Sequence, residues 1–392
     1  MELQLDPIYQ FVSGHTLPIC RENESVKKFL SDYYQAYIHD LDECLGNKEK
    51  RVLPDTIYEL IKDSLPIVKN CSKSIIDFLD EIDKGRRQNS LNVFNEMMDN
   101  IIEFLPIKKL SSKVSDRFHT YYRIRSTNVS DRKELFHIPI SKRHLVGGYR
   151  YSVPGHPCLY LANGMELCFF ECDMPKEFSC AKFQLDLDES TIIRFLDFSK
   201  DEREIITDIS IWLHNNPNDR NDIEKYFRNF IVTFPLRVAC SLSVKNRNVN
   251  FVEEYVVPQQ LTSWIVEHGE LDGILYETCS DKKTARYWKA VNLVVPTRDC
   301  TVEYCSNLKK MFSISKPVFV KVSEKIVGGI YQIEPVNKVL NAINNLRLSG
   351  KTLTAYSTIE SLCQSFLMII SSLSNDNYRN PECTILCGHL RA

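Results

Sequence analysis

The sequence predicts an α+β fold, with a helical segment first and a mixed strand-and-helix segment after it. Three observations carry this. Residues 22–115 hold apolar residues at helical spacing. Near residue 118 the texture changes to short β-rich runs separated by Gly and Pro. Those runs then alternate with helical ones without a regular βαβ repeat. With 392 residues, 43% hydrophobic and 26% charged, the chain can bury a sizeable core.

In ESVKKFLSDYYQAYIHDLDECL, Val26, Phe29, Leu30, Tyr33, Tyr37, Ile38, Leu41 and Leu45 mark one helix face. DTIYELIKDSL reads as a second helix with Asp55 as its N-cap. A third opens at Ser72 or Ser74, presents Ile75, Ile76, Phe78, Leu79 and Ile82, and stops at Gly85. A fourth opens at Ser90 and carries Leu91, Phe94, Met97, Met98, Ile101 and Ile102, with Pro106 just past its end. Four such helices with short connections predict a small bundle over 1–115.

Strands are expected in YYRIR, around Cys158–Leu161, in CAKFQLDL and TIIRFLDF, and later in LDGILYET and AVNLVVP. GMELCFFEC regains helical character, as does 200–235, where Trp212, Tyr226, Phe227 and Phe230 read as core. QQLTSWIVEHG reads as a helix closed at Gly269. These elements form a unit over 116–300. Residues 301–392 read as a mixed, partly helical extension, with helices expected in EPVNKVLNAINNL and STIESLCQSFLMIISSL.

The formal net charge of −2 supplies no global field for nucleic acid or an anionic membrane. No apolar run approaches the roughly 20 residues of a membrane span, and MELQLDPIYQ lacks the features of a signal peptide. The reading is a cytoplasmic protein whose 14 cysteines are reduced thiols, Cys158, Cys168 and Cys172 among them as buried ones. Cys383-x3-Cys387-x-His389 lacks a second ligand pair at zinc spacing, so no metal is expected. No P-loop, HExxH or dinucleotide-binding fingerprint occurs. His137, His144 and His156 fit no triad spacing and read as polar loop residues.

Three separated pieces together resemble the RES domain family, which is related to ADP-ribosyltransferases. They are Tyr122-Arg123 within YYRIR, GGYRYSVPGHPCLYLANGMELCFFEC over 147–172, and EYVVPQQLTSWIVEHGELDGILYETCS over 254–280 followed by Val291-Asn292-Leu293. The resemblance implies that 116–300 is an ADP-ribosyltransferase-like RES domain, here preceded by a helical N-terminal domain. It further implies NAD⁺ as substrate, with no separate cofactor, and cleavage of the nicotinamide–ribose bond. The activity implied is that of a glycohydrolase or phosphorylase of the toxin or antiphage-defence type, as in toxin–antitoxin systems. A protein ADP-ribosyltransferase is the nearby alternative, and a non-catalytic nucleotide-binding protein with a degraded site is another.

Carried over residue by residue, the Arg role falls on Arg123, with Arg125 as rival, and the acid on Glu171, with Glu166 nearby. Where the family has Ser, this chain has Thr278, with Ser280 two residues on. Cleaving the glycosidic bond builds positive charge on the ribose, which Glu171 would stabilise. Arg123 and Arg150 would hold the phosphates, and Tyr151 or Tyr160 would stack on the nicotinamide ring. Gly147, Gly148 and Gly155 would let backbone approach the ligand. Thr278 or Ser280 would orient the amide or the attacking group. Glu171 lies between Phe170 and Cys172, where an unpaired carboxylate is costly to bury; that favours a purpose for it. The implied partners are NAD⁺ and an inhibitory antitoxin or regulatory protein, with self-association open and no membrane or nucleic acid. Domain order alone leads to the expectation that the N-terminal bundle restrains or triggers the active domain.

Overall fold

The computed structural model describes residues 14–46, 55–113, 117–173, 175, 177–200, 204–205, 221–244, 246, 249–279, 291–299, 302–323 and 332–334. Three helices come first: α1 (Val26–Gly46), α2 (Asp55–Asp83) and α3 (Arg87–Ile101). There follow β1 (Ile107–Leu110), β2 (Thr120–Arg125), α4 (Arg132–Leu135), β3 (Cys158–Ala162), α5 (Met165–Glu171), β4 (Glu177–Leu185) and β5 (Ile193–Phe198). Then come α6 (Asn221–Cys240), α7 (Val256–His268), β6 (Gly273–Glu277), β7 (Val291–Pro296), α8 (Ser306–Met311), β8 (Phe312–Ile314), β9 (Val318–Ser323) and β10 (Gln332–Glu334).

The α+β expectation holds. Among the described residues the strands form one sheet in the order β1-β5-β6-β7-β3-β2-β4-β9-β10, with β8 also on β4. Its pairs are antiparallel except β5–β6, which run parallel and are joined through α6 and α7. Each inner strand alternates its side chains between two apolar layers. Ile274 and Val294 face the helices, in a core with Leu30, Tyr37, Phe78, Phe94, Phe234 and Trp264. Leu275, Leu293 and Val295 face the other way, with Tyr121, Leu159, Leu161, Phe183, Phe195 and Phe312. The strands approach closely at Gly273, where an added Cβ would lie 2.4 Å from the Val294 carbonyl oxygen, so only glycine fits.

The helical region departs from its sequence reading. The second and third expected helices are one, α2, which continues across Pro66. Pro66 removes one backbone donor, but the apolar stripe runs on unbroken through Leu65, Val68, Cys71, Ile75, Phe78 and Leu79, all buried. Continuous burial of that face outweighs one lost hydrogen bond. Ser72, expected to open a helix, is 3% exposed inside this one. Gly85 does end it, at φ +72°, the left-handed conformation that a helix stop favours. The fourth member of the bundle is α6, far along the chain, which packs along α2.

The core therefore does not divide at residue 115. Val26 through Phe104 belong to the same apolar cluster as α6, α7 and the helix-facing side of the sheet. Polar contacts cross as well: Tyr34 Oη donates to the Pro235 carbonyl at 2.8 Å, and Arg21 Nε to the buried Glu254 carboxylate at 2.9 Å. Pro235 sits inside α6 and cannot donate to the carbonyl one turn back, that of Ile231. Tyr37 Oη supplies that bond at 3.2 Å. Tyr37→Phe strands a buried carbonyl, and urea denaturation should show a loss of about 1–3 kcal/mol. An unchanged midpoint would mean that some other group satisfies the Ile231 oxygen.

Beyond residue 300 the chain adds β8, β9 and β10 to the sheet. The helices expected over 334–346 and 357–373 lie outside the described residues, except Glu334, which ends β10; Trp212, Cys383, Cys387 and His389 lie outside them too. No helix among the described residues is long and apolar enough to cross a membrane.

Candidate active site

β2 and β3 share a single paired position, Tyr122 with Ala162, while β2 pairs with β4 along its whole length. The sheet thus opens between β2 and β3, and a cleft of about 1050 Å³ lies there. Tyr160 of β3, Tyr276 of β6 and Asn292 of β7 line it from adjacent strands. So do Arg123 and Arg125 of β2, and Glu171 at the end of α5.

Glu171 is the last residue of a seven-residue helix, where the helix dipole gives an anion no help. Its neighbours do. Thr278 Oγ1 donates to Glu171 Oε1 at 2.6 Å, and Asn292 Nδ2 donates to the same oxygen at 3.2 Å. The register that pairs Tyr276 with Asn292 brings both donors to one place. With both on Oε1, Oε2 has no partner among the described residues, and Glu171 lines the cleft. Thr278, 3% exposed, is fixed against Glu171 by this bond. Ser280 and the side chain of Glu166 lie outside the described residues.

The cleft is basic opposite Glu171. Arg123 Nη1 donates to the Phe136 carbonyl at 3.0 Å. Burial, then the nearby Arg125, push the Arg123 guanidinium down to about 9, still charged at neutral pH. Burial also lowers Arg125, against the pull of Glu134, and its buried Nε has no hydrogen-bond partner among the described residues. Two adjoining cations with incomplete compensation make a site for an anion.

The 146–157 loop is a folded lip. Gly155, at φ +80°, returns the chain so that its N–H meets the Val146 carbonyl at 2.9 Å. Gly148 lines the cleft, and a Cβ there would make only ordinary contact, 3.6 Å from Gln259 Nε2. Arg150 also lines the cleft, but its two terminal nitrogens donate to the Cys240 and Leu242 carbonyls at 3.0 and 2.7 Å. Its guanidinium lies over the Tyr255 ring at 5.4 Å. Arg150 thereby ties the lip to the end of α6. Tyr160 lines the cleft, and its Oη meets Ser152 Oγ at 2.8 Å and the Tyr151 N–H at 3.2 Å.

Tyr151 goes to the core instead of the cleft: it is 1% exposed, with its ring 4.7 Å from that of Tyr276. The exposed aromatic of the lip is Tyr149, edge-on to Tyr160 at 6.2 Å. The turn conformation, which alternation in the sequence does not determine, decides between them. Cys158 and Cys168 are buried as expected, whereas Cys172 is exposed and lines the cleft.

His137 is a loop residue, as expected, but a fully buried one, and no described side-chain carboxylate is hydrogen-bonded to its ring. Nδ1 donates to the Ile138 carbonyl at 2.8 Å, and Nε2 accepts from the Cys305 N–H at 2.9 Å. These partners require the neutral ring, and burial pushes its pKa down to about 4 from an ordinary 6.5. The unfolded chain takes up this proton first as pH falls. His137 therefore contributes full stability above pH 6.5, and this is lost as pH falls to about 4, by about 3 kcal/mol. Denaturation of wild type and His137→Gln across that window should show a shallower slope for the variant. Equal slopes would mean that the ring is protonated in the folded state.

Asn292 is the site residue whose role the sequence leaves unread. Its signal is a lone amide in the apolar strand VNLVVP. The 249–252 segment lines the cleft with Phe251, 59% exposed. Among the described residues no group of three or more His, Cys, Asp or Glu is placed to hold a metal.

No family model matches the chain. No solved structure matches it either. The chain is similar to a Bacillus subtilis (strain 168) protein named "Putative toxin YopC", at 28% identity over 333 residues, covering 81% of this chain and 71% of that protein.

Proposed function

We propose that the chain is an NAD⁺-consuming enzyme of the toxin type that cleaves the nicotinamide–ribose bond. The observation that carries this is the convergence of Arg123 and Glu171 in one cleft, with the buried Thr278 behind it bonded to Glu171 at 2.6 Å. These three positions come from three distant segments; Arg123 and Glu171 match the Arg and Glu for which the RES family is named, and Thr278 stands where that family has Ser. The similarity to a protein named as a toxin is consistent with a harmful activity of this kind.

In this reading the cations Arg123 and Arg125 hold the diphosphate. Glu171, its Oε1 fixed by Thr278 and Asn292, presents Oε2 to the ribose and stabilises positive charge at C1′ as the bond to nicotinamide breaks. Water or phosphate then bonds to C1′, and nicotinamide leaves. With water, one proton is released.

Purified full-length chain incubated with NAD⁺, with and without inorganic phosphate, is the test. Release of nicotinamide with ADP-ribose, or with a phosphorylated ADP-ribose when phosphate is present, supports the reading and names the acceptor. Binding of NAD⁺ without release would overturn it in favour of a nucleotide-binding protein.

A further inference from the structure

The cleft reaches beyond the β-strands to residues of the helical region and of α7. Phe78 and Ile82 of α2 and Arg87, the first residue of α3, line it. Arg87 is exposed, and its guanidinium has no hydrogen bond or ion pair among the described residues. From α7, Gln259 is engaged, donating to the Tyr149 and Ser152 carbonyls at 2.9 and 3.1 Å. Its neighbour Gln260 also lines the cleft, and there the amide nitrogen is buried with no acceptor among the described residues. A buried donor without an acceptor is costly, and in a cleft wall a ligand can supply the missing oxygen or ring nitrogen. α3 packs against α7, so the two groups belong to one wall. Phe251 and Val249 stand exposed at the rim and line the same cavity.

We infer that this helical wall is part of the substrate site. Arg87 and Gln260 recognise the half of the ligand remote from Glu171, a heteroaromatic base with its attached phosphate. The inference rests on the NAD⁺ reading above and deepens it. An apolar surface suits the face of a base, an amide its edge, and a guanidinium the phosphate. On this account the helical region is a specificity wall present whenever the cleft is formed, whatever further role it has in control.

Calorimetric titration of the full chain with ADP-ribose, and separately with nicotinamide mononucleotide, is the experiment. Arg87→Ala should weaken ADP-ribose binding by about tenfold or more and leave the mononucleotide unchanged. Arg87→Lys should restore part of the loss. Gln260→Leu should weaken ADP-ribose binding while leaving the ligand-free protein as stable as wild type or more so, because it removes an unsatisfied donor. Unchanged ADP-ribose affinity in Arg87→Ala and Gln260→Leu would overturn the inference and leave the NAD⁺ reading standing. An equal loss for both ligands would overturn the assignment to the remote half. If wild type binds neither ligand, the NAD⁺ reading fails and this inference fails with it.

Discussion

Glu171→Gln is expected to lower NAD⁺ turnover by about a hundred- to a thousandfold while leaving the fold intact. The substitution keeps a carbonyl oxygen in place of Oε1, so Thr278 and Asn292 retain an acceptor at 2.6 and 3.2 Å. What goes is the negative charge. Preorganised electrostatic groups at a charge-developing centre contribute about 2.7–4 kcal/mol each, which corresponds to that range of rates. Glu171 is held by two donors on one oxygen, so it need not reorganise as the ribose becomes cationic. Nicotinamide release under single-turnover conditions measures the effect, and a thermal melt confirms that the variant is folded. The affinity for ADP-ribose should change much less than the rate, because the product carries no oxocarbenium charge. Turnover within threefold of wild type would remove Glu171 from the chemistry and reopen the role of every residue grouped with it.

The legibility of this site was uneven for physical reasons. Arg123, Glu171 and Thr278 were picked out through the resemblance of three short segments to the RES family, and the fold brings Thr278 to Glu171 and Arg123 to the same cleft. That Thr278 and Asn292 both act on Glu171 was not, because it depends on the register between β6 and β7. Tyr151 was named beside Tyr160 as a stacking ring and Tyr149 was not, since a Gly/Pro lip has no period from which to predict which aromatic turns inward. Arg87 and Gln260 carry no motif, and only the packing of α3 on α7 brings them to the cleft. In the fold, β2, β3, β6 and β7 matched their apolar runs, whereas β8 and β10 are three residues each, too short to show alternation. Two helices were read from separate local signals where one continuous buried stripe prevailed across Pro66. The reading of an N-terminal bundle complete in itself failed for the same kind of reason. Amphipathic helices announce that they need a partner without saying that the partner is α6, over a hundred residues away.

Removing residues 1–105 should abolish folding rather than release an active domain. The helices they contain cover α6, where Ile231, Val232, Phe234, Leu236 and Val238 are at most 1% exposed. Stripping α1–α3 away would open that surface, together with the outer side of Trp264 and the carbonyls of Ile231 and Pro235 that Tyr37 and Tyr34 now satisfy. Each large apolar side chain returned to water costs about 1.5–3 kcal/mol. Five or six of them reach the whole stability of an ordinary domain, about 5–15 kcal/mol. Glu254 would also lose Arg21, leaving a carboxylate that is 3% exposed without its cation. The fragment 106–392 should therefore be insoluble, or should bind a hydrophobic dye, lack a cooperative melt and be cut at low protease concentration. Supplying residues 1–105 as a separate chain should restore a cooperative transition if the shared core is the cause. A fragment that melts cooperatively alone and retains NAD⁺ turnover would show that the helices are a detachable restraint. Arg87 would then lie outside the minimum needed for catalysis.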